Sequence, residues 1–389
     1  MSVVISGHTA FKQQRLKAWQ PILTPKTVLP AFFMLGVVFV PIGIALYLAS
    51  NNVQQIIFDY TTCTNPVFPA TNMASIPGPG SFKTCEVTFT IEKDMPGPVF
   101  MYYRLTNFYQ NHRRYVKSFD ANQLANINVN PTGTTPPAPT SVCSPLSRPS
   151  DAPANTYPWV KSENGVQKFN PDAVIYPCGL IANSYFSDVL SDITTKDKKT
   201  TYSFQNDSIA WPSDAAKFKP SSLNSINNGD IKNLVFPPPE WVKKFPQFSG
   251  GYTSANLFDA SQQRFQVWMR PAGLPNFRKL WGESKATIPA GEYTMRIEDS
   301  FDVSTFGGTK SVVISTVSIL GGKNPFLGIA YIVVGIICWI LGLLFLIRHM
   351  IKPRKLGDYT YLSWNQPQRG AGAEGQSTNA AGAGPSQRY

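Results

Sequence analysis

The residues that could do chemistry in this chain are few, and they do not assemble into a reactive set. Of five cysteines, Cys63, Cys85, Cys143 and Cys178 lie in the middle of the chain and Cys338 in an apolar run near its end. Four cysteines can hold zinc or form two disulfides. Zinc fails on spacing, because there is no CxxC and the same stretch holds one histidine, His112. Two disulfides remain, with three possible connectivities. Pairing of neighbours, Cys63–Cys85 and Cys143–Cys178, is the reading taken, and each closed loop would contribute about 3–4 kcal/mol. No GxSxG, HExxH or G-x-x-x-x-G-K-[ST] sequence occurs, and Gly307-Gly-Thr-Lys-Ser311 lacks the glycine spacing of a phosphate loop. His112 sits in Asn111-His-Arg-Arg-Tyr115 without a carboxylate neighbour. Glu298, Asp299 and Asp302 could do acid–base work but read as a solvated strand end. The chain reads as non-catalytic, with no metal and no cofactor.

The elements around these residues are more telling. From Thr27 to Phe58, and again from Asn324 to Ile347, no residue is charged. Each run can supply roughly 22 helical residues, about 33 Å, against a hydrocarbon core of about 30 Å. The first run begins too far into the chain and lacks a small-residue cleavage site, so it reads as a retained signal anchor. Lys12, Arg15, Lys17 and Lys26 precede it without one acid. Arg348, Lys352, Arg354, Lys355, Arg369 and Arg388 follow the second run, against Asp358 and Glu374. Much of the net charge of +12 is thus concentrated on two short tails. The positive-inside rule then puts both termini in the cytosol, and anionic lipid explains the basic tails without nucleic acid. The boundaries expected are a cytosolic arm at 1–26, a first span at 27–49 and a lumenal or extracellular domain at 50–324. A second span at 325–347 and a cytosolic tail at 348–389 follow, the tail disordered from about residue 370.

An outer location agrees with the paired cysteines and makes Asn206-Asp-Ser208 a usable acceptor for an N-glycan. Asn130-Pro-Thr132 is blocked by its proline. Period-two stretches predict strands over 86–92, with Val87, Phe89 and Ile91 on one face, and over 263–269, with Phe265, Val267 and Met269 together. Two more are predicted over 292–298 and 310–319. Helical pieces are expected near 102–117 and 182–189, and a proline-rich exposed loop over 131–158. The fold class expected is a membrane protein: two transmembrane α-helices flanking a large, disulfide-stapled, β-rich (α+β) ectodomain with an antiparallel sheet or sandwich.

Gly36 and Gly43 lie seven apart in the first span, and Gly328, Gly335 and Gly342 repeat at seven in the second. Each set forms a bare stripe on one helix face. Such stripes predict close packing, either between the two spans or onto another protein's helix. No charge interrupts either span, which argues against an ion pathway.

Long blocks run in order along the chain, beginning with Phe11-Lys-Gln-Gln-Arg-Leu-Lys-Ala-Trp-Gln-Pro-Ile-Leu-Thr-Pro25 and Met101-Tyr-Tyr-Arg-Leu-Thr-Asn-Phe-Tyr-Gln-Asn-His-Arg-Arg-Tyr-Val-Lys117. They continue through Pro177-Cys-Gly-Leu-Ile-Ala-Asn183, Ile209-Ala-Trp-Pro212, Val267-Trp-Met-Arg270, Leu274-Pro-Asn-Phe-Arg-Lys-Leu280 and Gly321-Gly-Lys-Asn-Pro-Phe-Leu-Gly-Ile-Ala-Tyr331. These blocks together resemble the cell-cycle-control-protein-fifty family, also called the ligand-effect-modulator family. A short N-terminal tail and a proline-rich insertion after Ser118 depart from the pattern. The resemblance implies a non-catalytic subunit of a type-IV P-type ATPase, a phospholipid flippase. Such a subunit forms a heterodimer with the ATPase chain, escorts it from the endoplasmic reticulum and supports lipid transfer to the cytosolic leaflet. Golgi, endosome or plasma membrane would be the destination. The family pattern also matches the neighbouring disulfides and lumenal glycosylation. Partner contacts are expected at the arm, through Phe11, Arg15, Lys17 and Trp19, and at Arg113 and Arg114 outside. A two-span ligand-gated channel subunit is the alternative, and it fits less well because such channels carry more cysteines and polar pore-lining residues.

Overall fold

The computed structural model describes residues 24–63, 83–125, 141–163, 166–220, 228–318 and 321–353. It divides into two units, one built on the first and last helices and the other running from Leu48 to Pro325.

Helix α1, Pro25–Asn51, begins with proline at its first position, where a missing N–H costs nothing. The Thr24 carbonyl accepts from the Thr27 and Val28 amides, and the Thr24 amide donates to Thr27 Oγ1 at 3.3 Å. Pro30 and Pro41 lie inside this helix.

The second unit is a pair of four-stranded sheets. One sheet contains β1 (Gln55–Asp59), β3 (Val99–Leu105), β10 (Phe277–Ser284) and β12 (Lys310–Thr316), in the order β1-β12-β3-β10. The other contains β2 (Lys83–Ile91), β7 (Val189–Thr195), β8 (Thr201–Tyr202) and β11 (Gly291–Asp299), in the order β2-β11-β7-β8. All of these pairings are antiparallel. Two-residue strands make two further ladders, β4 (Ser162–Glu163) with β5 (Val166–Gln167) and β6 (Val174–Ile175) with β9 (Val235–Phe236). Strand β3 alternates buried and half-buried residues along its length, whereas every residue of β12 is buried. The β-branched run Val312-Val-Ile-Ser-Thr316 suits that two-sided burial.

Short helices fill the connections: α2 (Arg113–Lys117), α3 (Ala121–Leu124), α4 (Leu180–Asn183), α5 (Pro212–Ala215), α6 (Asn228–Leu234), α7 (Pro239–Lys244) and α8 (Gln263–Met269). The last helix, α9, spans Phe326–Ile351. One large core joins both sheets and the helices between them. Phe58 of β1 stacks on Phe89 of β2 across the sheets at 4.9 Å, and Tyr103 lies 3.8 Å from Phe186 with parallel rings. Gly282 marks a bulge in β10. A Cβ there would stand 2.9 Å from both Cβ and carbonyl of Phe204, so only glycine lets that segment approach.

Cys63 is bonded to Cys85 and Cys143 to Cys178. The sheet unit also holds a buried ionic group. Lys310 Nζ lies 2.8 Å from Asp188 Oδ2, donates to the Phe301 carbonyl at 2.7 Å, and contacts Asp299. Asp188 also accepts from the Ser300 and Phe301 amides and from the Tyr60 hydroxyl. Burial raises the Asp188 carboxyl above the usual range while Lys310 pulls it back, and burial lifts the Tyr60 hydroxyl well above ten. Both sheets are clamped through this cluster.

The structure corrects several readings. Residues 263–269 form helix α8 rather than a strand. Phe265, Trp268 and Met269 are buried, which is the i, i+3, i+4 face of a helix. Seven residues are too few to separate the two periods by pattern, and Trp268 decides it. The helix expected over 102–117 is strand β3 as far as Leu105, then a turn with Asn107 at φ 58°, then α2. The helix expected over 182–189 is only α4, and Val189 opens β7. Asp299 is no solvated strand end, because Lys310 holds it. The proline-rich stretch lies outside the described residues over 131–140, and beyond it includes Cys143 and Tyr157, both fully buried.

Candidate partner-binding surfaces

The glycine stripes bring α1 and α9 together, antiparallel. A Cβ on Gly328 would stand 2.7 Å from the Tyr47 amide nitrogen and 2.9 Å from the Gly43 carbonyl oxygen. One on Gly43 would stand 2.8 Å from Ile332 backbone nitrogen, and one on Gly335 2.7 Å from Val40. At Gly36 it would enter the Trp339 indole, whose Nε1 donates to the Phe33 carbonyl at 3.3 Å. Gly342 is looser, with the Phe32 and Phe33 side chains at 3.4 Å. At Gly43 and Gly328 the seam is therefore backbone against backbone, and at the other glycines side chains fill the space, the approach that small residues permit where water supplies no driving force. Outside the seam, the helices expose Met34, Leu48, Leu343, Leu344 and Met350, a surface suited to hydrocarbon.

In the second unit the basic-aromatic block divides in two. Phe108 and Tyr115 turn inward, where Tyr115 shares a 2.8 Å hydrogen bond with Ser184 and burial pushes its hydroxyl up to about 12. Tyr109, His112, Arg113 and Arg114 face solvent. No ion pair among the described residues involves either arginine.

Hydrogen bonds fasten a second loop to this block. Asn111 donates to the Gly273 carbonyl at 2.9 Å, the Phe108 amide to Pro275, and the Ala272 amide to Gln110 Oε1. That loop exposes Leu274. At its start, Arg270 stacks over Trp211 at 4.8 Å and meets Asp214 at 3.1 Å, leaving Trp211 64% exposed. Lys279 braces this corner from beneath. Its Nζ donates to the Val267 and Trp268 carbonyls at 3.0 and 3.2 Å and to Arg270, closing the end of α8. Burial lowers its amine to about 7. Tyr109, Arg113, Arg114, Leu274 and Trp211 make a surface of exposed rings and cations, the composition that anchors protein interfaces.

Trp211, Leu274 and Arg270 belong to this exposed corner, and sequence reading does not single them out although it quotes their motifs. The usable signal was a tryptophan between a turn and a proline, a position that seldom enters a core. Asn206 is exposed in the turn after β8, with Ser208 at φ 66°. Phe11, Arg15, Lys17 and Trp19 lie outside the described residues.

The family model for the LEM3 (ligand-effect modulator 3) family / CDC50 family matches residues 46–355. Over 352 residues the chain is 40% identical to cell cycle control protein 50A of Mus musculus, covering 87% of this chain and 88% of that one. Over 385 residues it is 34% identical to the phospholipid-transporting ATPase accessory subunit CRF1 of Saccharomyces cerevisiae, covering 92% and 88%. Over 369 residues it is 36% identical to ALA-interacting subunit 3 of Arabidopsis thaliana, covering 92% and 90%.

Proposed function

The chain belongs to the LEM3/CDC50 family, and from that premise we propose that it is an accessory subunit of a phospholipid-transporting ATPase of the type-IV P-type class. Catalysis resides in the partner chain, which this subunit escorts from the endoplasmic reticulum and stabilises while lipid moves to the cytosolic leaflet. The observation that carries the reading is similarity across nearly the full length to a relative named as such an accessory subunit. Local geometry supports it. A seam that seals α1 against α9 leaves their outer faces free for lipid or for another chain's helices.

The basic tails favour cytosolic termini and a lumenal or extracellular second unit, where Asn206 carries an N-glycan. Golgi, endosome or plasma membrane is the working site of the complex. Contact with the partner is assigned to the arm residues Phe11, Arg15, Lys17 and Trp19 on the cytosolic side. On the outer side it is assigned to Arg113 and Arg114 with their aromatic neighbours, where guanidinium groups can take carboxylates in two-point hydrogen bonds.

Purification of the tagged chain in mild detergent, followed by mass spectrometry, tests the assignment. One much larger P-type ATPase at one-to-one is the expected result. A homotrimer without an ATPase would overturn it.

A further inference from the structure

Near the ends of α1 and α9 that carry the basic residues, the two helices part around a crevice of about 410 Å³. Val28, Leu29 and Phe345 contribute apolar surface to it, and Arg348, His349 and Lys352 contribute nitrogen donors. The carbonyl of Arg348 accepts from the Lys352 amide at 3.0 Å, so the two cationic side chains arise one turn apart. No acidic residue lines the crevice. None occurs from residue 1 to 58 or from 324 to 357, so these elements supply no counter-ion. None of the ion pairs among the described residues involves Arg348 or Lys352.

We propose that this crevice binds the head group of an anionic phospholipid, with the acyl chains lying along the exposed helix faces. Three observations select that occupant. The wall is amphiphilic, with cations above an apolar floor, and Leu344 and Ile351 continue the apolar surface outward. An acidic peptide or a free phosphate would need only the cations. The crevice also lies a full helix length from the opposite end of the pair. At 1.5 Å per residue that is about 39 Å for α9, which sets the basic group at head-group depth when the apolar run spans the hydrocarbon. The chain's own arm is a poor occupant, since Lys12, Arg15 and Lys17 precede α1 with no acid among them and would be repelled. Basic pockets between membrane helices are a recurring site for anionic head groups. The inference rests on reading α1 and α9 as membrane spans and is independent of which ATPase is bound.

The test uses the purified full chain, with its ATPase where that co-purifies, and native mass spectrometry. Dioleoylphosphatidylserine and dioleoylphosphatidylcholine, identical in their acyl chains, are offered in equal amounts. Phosphatidylserine should be retained about thirtyfold more, as expected for two cations near the surface. Arg348→Gln with Lys352→Gln should remove the preference, and so should 1 M salt on the unaltered protein, which needs no variant to fold. Inorganic phosphate at matched concentration should not displace the lipid. Equal retention of the two lipids would overturn the proposal, and so would a preference indifferent to both the double variant and salt. Displacement by inorganic phosphate would assign the crevice to free phosphate instead. A photo-crosslinker in place of Leu29 should label phospholipid, and labelling of polypeptide alone would assign it to a protein segment.

Discussion

The helix pair and the sheet unit are held by opposite means. Along α1 and α9 there is no charge between Thr27 and Ile347 within either helix, and the contact consists of glycine backbones within van der Waals reach of the facing chain. In the sheet unit, large rings fill the centre: Trp241, Trp268, Tyr157 and Tyr252 are all fully buried. There Lys310 and Asp188 form an ion pair withdrawn from water and satisfied by each other, by backbone and by Tyr60. The helix pair consequently fails when atoms are added, and the sheet unit when atoms are removed. The reason lies in the surroundings. Where lipid or detergent surrounds the helices, close approach is the available source of attraction, whereas a water-facing domain gains by burying bulk and loses by leaving a charge unpaired.

The sharpest way to break this contrast is at Lys310. Lys310→Ala leaves Asp188 and Asp299 facing a cavity and should cost about 3–5 kcal/mol, read as a lower unfolding midpoint of the purified chain. Lys310→Met combined with Asp188→Asn and Asp299→Asn should recover part of that loss. A midpoint unmoved by Lys310→Ala would show that the cluster does not hold the sheets. Next comes Gly328→Leu, which must push α9 away from Tyr47 and Gly43 of α1. Overpacking of this kind costs about 1–3 kcal/mol, while Gly342→Ala, with side chains at 3.4 Å, should stay within about 0.5 kcal/mol. Equal effects at the two glycines would contradict the seam described above.

A smaller effect appears at alkaline pH. Tyr115 ionises at about 12 in the folded chain and near 10 when unfolded. Its raised value means that its contribution is complete below pH 10 and is lost as pH rises toward 12. The slope is at most about 1.4 kcal/mol per pH unit. Tyr115→Phe should make stability less steep in that window, and an unchanged slope would refute the assignment. Smallest for stability is Arg113→Glu with Arg114→Glu. These exposed groups should shift the midpoint by less than about 0.5 kcal/mol each yet lower recovery of the ATPase partner. A large fall in midpoint would mean that α2 has a packing role instead.

Legibility in the sequence followed the same divide. Runs without charge mark α1 and α9, and seven-residue glycine spacing marks their facing sides, because both signals are local. Strands β2 and β11 show their period in consecutive residues, and β12, buried throughout, shows itself by its β-branched run. What could not be read was anything made of distant partners. Tyr60 and Asp188 are 128 positions apart and Asp188 and Lys310 are 122 apart, so no window contains the cluster. Asp299 looked solvated for the same reason. Helix α8 escapes a reading by pattern because Phe265 and Met269 satisfy both periods, and its actual setting depends on Lys279 and Trp281 of β10. The exposed patch was half legible: Arg113 and Arg114 stand out as adjacent cations, whereas Leu274 and Trp211 depend on a loop fastened to another loop.

One feature of the sheet order bears on how the protein is made. Strand β12 lies between β1 and β3, and the Gln54 amide donates to Thr316 Oγ1 across 262 positions. A ribosome delivering the chain from its N-terminus therefore presents β1 and β3 long before the strand that separates them exists. Until Thr316 has been synthesised, both strands carry an open edge of unpaired amides and carbonyls, the kind of surface that attracts chaperones or aggregation. Phe326, the start of α9, follows only a short segment later. Closure of the sheet and arrival of the second span are thus nearly simultaneous in synthesis, and the nascent domain has a long waiting period but a single moment of completion.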